Sequence, residues 1–298
     1  MVNRVARAMC ALALVTVGLV GGATSTAGAA ANPWPHFAVG GFATPSGDGF
    51  YVVFADGSVE RSMSATPRGD ASGLALSGPV VGGTLAADGN GYWLVASDGG
   101  LFTYGSAHFY GSMGAAHLNQ PVFSMAATKS GKGYWLVARD GGIFTFGDGR
   151  FYGSTGAIHL NQPIAGITAG PTGKGYRMVA RDGGIFSFGD APFYGSLPSL
   201  ALSVSDVVGM APTPSGKGYW IAEANGVVHA FGDATNFGNY VQPNPLFSCD
   251  HVVGIFANPA RMGYRLVLEG GAAMGFGQSG FDFGGFPRLC NPLDPGHI

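Results

Sequence analysis

Gly133-Tyr134-Trp135-Leu136-Val137-Ala138, then Asp140-Gly141-Gly142-Ile143-Phe144-Thr145-Phe146-Gly147-Asp148 and Phe151-Tyr152-Gly153-Ser154, is the stretch whose reading decides the fold. Together with Val122-Phe123-Ser124-Met125-Ala126 upstream, it offers four apolar runs of strand length. The separators are Ser130-Gly131-Lys132-Gly133, Asp140-Gly141-Gly142 and Gly147-Asp148-Gly149. Glycines there allow the positive φ that tight hairpins need. The runs are apolar on both alternating faces, as a sheet requires when other sheets cover both its sides.

The unit recurs along the chain. Its Gly-aromatic step appears as Gly49-Phe50-Tyr51, Gly91-Tyr92-Trp93, Gly133-Tyr134-Trp135, Gly175-Tyr176-Arg177, Gly218-Tyr219-Trp220 and Gly263-Tyr264-Arg265. Anchored at Tyr51, Tyr92, Tyr134, Tyr176, Tyr219 and Tyr264, the spacings are 41, 42, 42, 43 and 45 residues. A period this steady marks a repeat architecture. Four antiparallel strands in each unit predict an all-β six-bladed β-propeller of four-stranded repeats. A β-solenoid or a seven-bladed ring is the alternative; solenoid coils are usually shorter and need end caps. The outer units depart from the pattern, with Glu60-Arg61-Ser62 in place of an apolar strand and Glu269-Gly270-Gly271 in place of Asp-Gly-Gly.

Residues 1–31 have the three parts of an export signal: Arg4 and Arg7, the apolar run Met9 to Val20, and small residues ending at Ala31. Cleavage is expected after Ala29 or Ala31, leaving 32–298 as one propeller domain with no further membrane span. The apolar run is shorter than the roughly 20 residues needed to cross a bilayer. Without Arg4 and Arg7, 13 Lys+Arg stand against 17 Asp+Glu, a net charge of −4 that argues against nucleic acid or an anionic membrane as partner. Cys249 and Cys290 bracket the last unit and, in an oxidising compartment, are expected to form a disulfide that fastens the C-terminus. A monomer is expected.

The phrases at 133–138, 140–144, 146–148 and 151–154, with Leu160-Asn161-Gln162-Pro163, resemble a repeat common in exported actinobacterial proteins. The likeness covers roughly residues 35 to 286 and implies an envelope or extracellular setting. The family has no settled activity, so the resemblance carries over no catalytic residue. Ser97-Asp98-Gly99-Gly100-Leu101-Phe102-Thr103-Tyr104 more loosely resembles the Asp-box turn of sialidase-like propellers, with its Ser–Asp and Gly–Thr spacings each off by one.

Chemical motifs are sparse. Glutamate occurs only at Glu60, Glu223 and Glu269, while Asp98, Asp140, Asp182, Asp148, Asp190 and Asp233 sit in repeat turns. Glu223 with Asp206 or Glu269 is the one nameable carboxylate pair for glycoside hydrolysis. No serine-hydrolase elbow, zinc helix or phosphate loop is present. His117 and His159 occupy matching His-Leu-Asn-Gln-Pro segments, where packing at the blade connection explains them better than metal binding. No metal or cofactor is expected.

One repeat position holds Trp93, Trp135, Arg177, Trp220 and Arg265. A position that accepts Trp or Arg is expected to be partly exposed, because an unpaired arginine is costly in a core. These residues would then line the ring and stack on sugars or grip anions, against the plainer reading of inter-blade packing. The preferred function is a non-catalytic, secreted or wall-associated propeller that binds a cell-wall glycan, peptide or protein. The alternatives are an extracellular hydrolase or lyase with its site in the central channel, and a structural envelope component.

Overall fold

The computed structural model describes residues 32–62, 64–241 and 251–278, all within the second of two compact units, Asn32–Ile298. The export-signal segment, Cys249 and Cys290 lie outside the described residues. No helix among the described residues is long and apolar enough to cross a membrane.

The described chain is all-β, apart from one 3-10 turn at Pro198–Leu200. It forms six three-stranded antiparallel sheets, each built from consecutive strands. The first contains β1 (Ala38–Ala43), β2 (Phe50–Phe54) and β3 (Val59–Arg61), and the second β4 (Val80–Leu85), β5 (Gly91–Ala96) and β6 (Leu101–Gly105). The third contains β7 (Val122–Ala127), β8 (Gly133–Ala138) and β9 (Ile143–Gly147), and the fourth β10 (Ile164–Ala169), β11 (Gly175–Ala180) and β12 (Ile185–Gly189). β13 (Val207–Pro212), β14 (Gly218–Glu223) and β15 (Val228–Gly232) form the fifth; β16 (Val252–Ala257), β17 (Gly263–Leu268) and β18 (Ala273–Gly277) form the sixth.

The middle strand of every sheet is buried along its whole length, as its two apolar faces require. Each first strand carries a bulge, so that Val39, Val81, Phe123, Ala165, Val208 and Val253 have no partner in the ladder. Strand register also corrects the alignment of the first unit. Ala43 pairs with Phe50 as Leu85 pairs with Tyr92, so Phe50 is the counterpart of Tyr92, and Tyr51 is the counterpart of Trp93. The first spacing is therefore 42 residues rather than 41.

The expected fourth strand does not form. Phe151-Tyr152, and the matching Phe109-Tyr110 and Phe193-Tyr194, run outside any sheet. Their backbone polar groups find side chains instead of a ladder. Trp135 Nε1 donates to Arg150 O at 2.8 Å, and Tyr152 N donates to the Tyr176 hydroxyl at 3.2 Å. Such side-chain partners satisfy the backbone where a strand neighbour would otherwise be needed.

Consecutive sheets are stitched by backbone hydrogen bonds at the start of each first strand. Ile164 N donates to Arg139 O at 2.9 Å, and Arg181 N donates to Pro163 O at 2.9 Å, so the Pro163–Ile164 peptide links Arg139 to Arg181. The same two bonds recur at Pro79–Val80, Pro121–Val122, Asp206–Val207 and His251–Val252. They recur again at Phe37–Ala38, where Ala38 N donates to Glu269 O of the sixth sheet at 2.8 Å and Ala55 N donates to Phe37 O at 2.9 Å. Asn258 Nδ2 on Gly47 O (3.2 Å) and Arg261 on Asp48 (3.2 Å) add contacts between the sixth and first sheets.

The Asp-Gly-Gly turns behave as turn chemistry. Asp98, Asp140 and Asp182 each accept a hydrogen bond from the backbone N–H two residues on, at 2.8, 2.9 and 2.9 Å. Gly141 follows with φ +79, and a Cβ built there would lie 1.7 Å from Thr155 Oγ1. Gly142 has no positive φ, and its nearest neighbour to a built Cβ, Asp140 Oδ1, is 3.1 Å away. Gly141→Ala is therefore expected to destabilise by about 1–3 kcal/mol from backbone strain alone, plus the clash. Gly142→Ala should do less, and chemical denaturation of the two variants measures the difference.

Candidate functional site

At the position holding Trp93, Trp135, Arg177, Trp220 and Arg265 the structure shows the plainer packing between units and corrects the expectation of partial exposure. These side chains are 0–1% exposed, lie in the middle strands, and do not line the central space. Each packs against the aromatic that opens the middle strand of the following unit. Trp93 lies on Tyr134 (ring centroids 5.6 Å), Trp135 on Tyr176 (5.5 Å) and Trp220 on Tyr264 (5.3 Å). Arg177 sits over Tyr219 at 5.4 Å, and Tyr51 lies on Tyr92 at 5.3 Å. Arg265, in the sixth sheet, sits over Phe50 of the first at 4.9 Å.

A second shared feature explains why Tyr, Trp and Arg interchange here. Trp93, Trp135 and Trp220 each donate from Nε1 to the carbonyl fifteen residues on, those of His108, Arg150 and Thr235, at 2.8 Å. Arg177 donates from Nε to Pro192 O at 2.6 Å, and Tyr51 from its hydroxyl to Thr66 O at 2.7 Å. Three residue types place a donor at one point and a flat face against the next aromatic. Burial was underestimated from the sequence because the flat, weakly hydrated guanidinium of arginine can take an aromatic's place in a stack. The fixed fifteen-residue offset to an otherwise unpaired carbonyl becomes visible only once the fold is known.

Arg177 holds this place less comfortably than tryptophan. Its Nη1 and Nη2 are buried without a hydrogen-bond partner, and burial pushes its guanidinium below the usual pKa, opposed by Tyr194 and Tyr219. Buried polar groups left unpaired cost roughly 1–3 kcal/mol. Arg177→Trp is expected to retain or raise stability, whereas Arg177→Ala and Trp135→Ala should each lower it by about 3–5 kcal/mol. Urea unfolding midpoints at matched slopes check the order.

The stacked tyrosines also grip the crossing segment. Tyr134 donates from its hydroxyl to Gly111 O at 2.6 Å while accepting from Tyr110 N at 3.0 Å. Tyr176 and Tyr219 do the same with Gly153 and Tyr152, and with Gly195 and Tyr194. Tyr264 donates to Gly238 O, and burial pushes its pKa up to about 12, keeping the hydroxyl a neutral donor. With the carbonyl of residue 108, 150 or 192 held from one side and the next tyrosine held from the other, the residue between points outward. Phe109, Phe151 and Phe193 are accordingly 60%, 60% and 55% exposed. Beside Phe109, at the junction of the second and third units, lies a groove of about 470 Å³ lined by His108, Tyr110, Asp88, Ser106 and Lys132.

Residues of all six first strands line one cavity of about 170 Å³. Each contributes its bulge residue and the two that follow, as in Phe123, Ser124 and Met125. Among the described residues the lining contains glycine, aliphatic residues, methionine, Phe123 and Ser124, with no acid, base or cation. The expectation of a hydrolase or lyase centre in the channel finds no acid–base pair there.

Glu223 pairs with His229 instead of meeting Asp206 or Glu269. Its Oε1 lies 2.5 Å from His229 Nε2 and its Oε2 accepts from Asn225 at 3.3 Å, with the Glu223 side chain 7% exposed. Register makes Glu223 the counterpart of Ala138 and His229 that of Phe144. The pair thus stands where a small and an aromatic side chain pack elsewhere, which is a structural role. Single replacement of either partner should destabilise by several kcal/mol by stranding a buried polar group. The double variant Glu223→Ala/His229→Phe should recover most of that loss in a double-mutant cycle.

A Ser-His-Asp grouping occurs at His36, Asp56 and Ser58. Asp56 and Ser58 both face His36 Nδ1, at 2.8 and 3.1 Å, while Nε2 faces Glu60 at 3.7 Å. A nucleophile must face the nitrogen opposite the carboxylate, so this is not a hydrolytic triad. Burial tends to raise the Asp56 pKa, but hydrogen bonds from Ser58 and His36 hold it below the usual carboxylate range. His117 and His159 are exposed in loops, and no metal-ligating cluster occurs among the described residues. No protein-family model matches the sequence, and no curated protein matches it.

Proposed function

We propose that the chain is a non-catalytic, secreted or wall-associated binding protein, a six-bladed propeller whose ligand is a glycan held on the outer rim. The observation that carries the reading is the recurrence of Phe109, Phe151 and Phe193, large, exposed and in equivalent places of three consecutive units. Exposed apolar side chains scattered singly need no explanation. Three aromatics at a constant interval, each forced outward by pinned neighbours, form a regular array suited to successive sugar faces of a repetitive polymer. The groove beside Phe109 adds Asp88, Ser106, His108 and Lys132 as polar partners for hydroxyl groups.

The propeller reading is supported by the backbone bonds that run from sheet to sheet and join Glu269 to Ala38. It is also supported by the stack of Arg265 on Phe50, which repeats between the sixth and first units the contact seen between the other neighbours. The charge pattern and apolar run of residues 1–31 support export, and with it access to an envelope polysaccharide.

The test is a pull-down of the purified chain with insoluble wall polysaccharides and peptidoglycan. The triple variant Phe109→Ala/Phe151→Ala/Phe193→Ala is expected to lose binding by about tenfold or more, since each stack contributes roughly 0.5–1.5 kcal/mol. Its melting temperature should be nearly unchanged because the side chains are exposed. Undiminished binding by the triple variant, or no binding of any wall glycan by the parent, overturns the reading.

A further inference from the structure

A second site, independent of the rim, is built where the hydrogen-bonded peptides meet the central cavity. We infer that Arg139 and Arg181 together bind a phosphate group at that mouth. The two arginines occupy equivalent positions in the third and fourth units, immediately before the Asp-Gly-Gly turns. The corresponding residues in the other units are Ala55, Ser97, Ala224 and Glu269, so the cationic pair is a local feature of two neighbours.

Their placement follows from the backbone. Arg139 O accepts from Ile164 N, and Arg181 N donates to Pro163 O, so a single peptide group separates the two residues. Two hydrogen-bonded spacings of ~4.8 Å put their backbones about 10 Å apart. Two arginine side chains span such a gap to meet on one anion. Arg139 lies with its guanidinium 4.5 Å from the centre of the Phe123 ring, and Phe123 lines the cavity. That contact fixes the Arg139 head group at the cavity's edge.

Arg139 packs on Phe123, a contact that leaves its charge unneutralised. No ion pair joins Arg139 or Arg181 to a carboxylate among the described residues, although Asp206 follows close in the same line of peptides. Arg181 Nε is buried without a hydrogen-bond partner. Both side chains are half-buried, and burial together with the Arg181 charge pushes the Arg139 pKa below its usual value. Two like charges held close, partly desolvated and unpaired, are an unfavourable arrangement that an oxyanion between them relieves. Phosphate suits the pair because guanidinium forks bind tetrahedral oxyanions through paired N–H donors. Asp206 nearby would weaken the binding of any anion, a dianion most, so the paired guanidinium donors have to outweigh it.

The experiment is calorimetric titration of the purified chain with inorganic phosphate and, separately, glycerol 1-phosphate, against chloride at equal ionic strength. Saturable one-to-one binding is expected for phosphate, weakened about tenfold or more by Arg139→Gln or Arg181→Gln and less by the lysine variants, which keep charge without the fork. Equal affinity for both probes identifies the phosphate group alone as the ligand; tighter binding of glycerol 1-phosphate identifies a phosphate ester. As a readout that needs no variant, phosphate should protect Arg139 and Arg181, but not the exposed Arg150, from phenylglyoxal as followed by mass spectrometry. Binding no stronger than chloride, equal binding by the double glutamine variant, or equal modification with and without phosphate overturns the proposal. None of these results bears on the rim aromatics, so the two readings fail separately.

Discussion

The stack of one unit's middle-strand side chain on the next unit's aromatic is the contact on which the rest of the structure depends. It runs Tyr51 to Tyr92, Trp93 to Tyr134, Trp135 to Tyr176, Arg177 to Tyr219, Trp220 to Tyr264 and Arg265 to Phe50. A three-stranded sheet with two apolar faces cannot cover either face by itself, so its stability lies in its neighbours. The stacking side chain also holds the carbonyl fifteen residues on, and the stacked tyrosine holds the crossing segment. Two adjacent positions per unit thereby fix sheet packing, the path between sheets, and the outward direction of Phe109, Phe151 and Phe193.

The same economy governs the hairpins. In the third unit Ser130 donates to Asp148 at 2.5 Å, and in the fifth Ser215 donates to Asp233 at 2.5 Å. The second unit exchanges the partners: Asp88 takes the serine's place and accepts from Ser106 at 2.8 Å. Backbone N–H of Asn90 and the Ser106 hydroxyl hold Asp88 below the usual carboxylate range. In the second to fifth units a hydroxyl meets a carboxylate there and either strand end supplies either group, whereas the first unit has Ser46 and Ser64 and the sixth Ala260 and Gln278 at these places. Seven of the 14 acidic residues among those described are occupied in this way or in Asp-Gly-Gly turns.

The two proposed sites differ in how they arise from this framework. The rim array is a by-product of regularity, since pinned neighbours turn the same residue outward in unit after unit. The arginine pair comes from a departure from regularity, since two of six equivalent positions carry a charge the fold does not neutralise. Ligand recognition in a repeat protein can use either route, because the scaffold supplies the positions and single substitutions supply the chemistry.

The number of units, their all-β character, and the turn role of the aspartates were legible in the sequence. Alternation, glycine spacing and Asx chemistry are local, and a period near 42 residues exposes them six times over. The count of strands was not legible. Phe151-Tyr152 has the composition of a strand, and only the side chains of Trp135 and Tyr176 arriving from a distance decide that its backbone bonds elsewhere. The burial of Trp93, Trp135, Arg177, Trp220 and Arg265 was hidden for the same reason. Local composition says that arginine avoids cores, whereas the tertiary structure provides an aromatic face beneath Arg177 and Arg265, and for Arg177 a carbonyl at the tip. Periodicity determines what repeats; contacts between units decide which repeated side chains are buried and which reach the solvent.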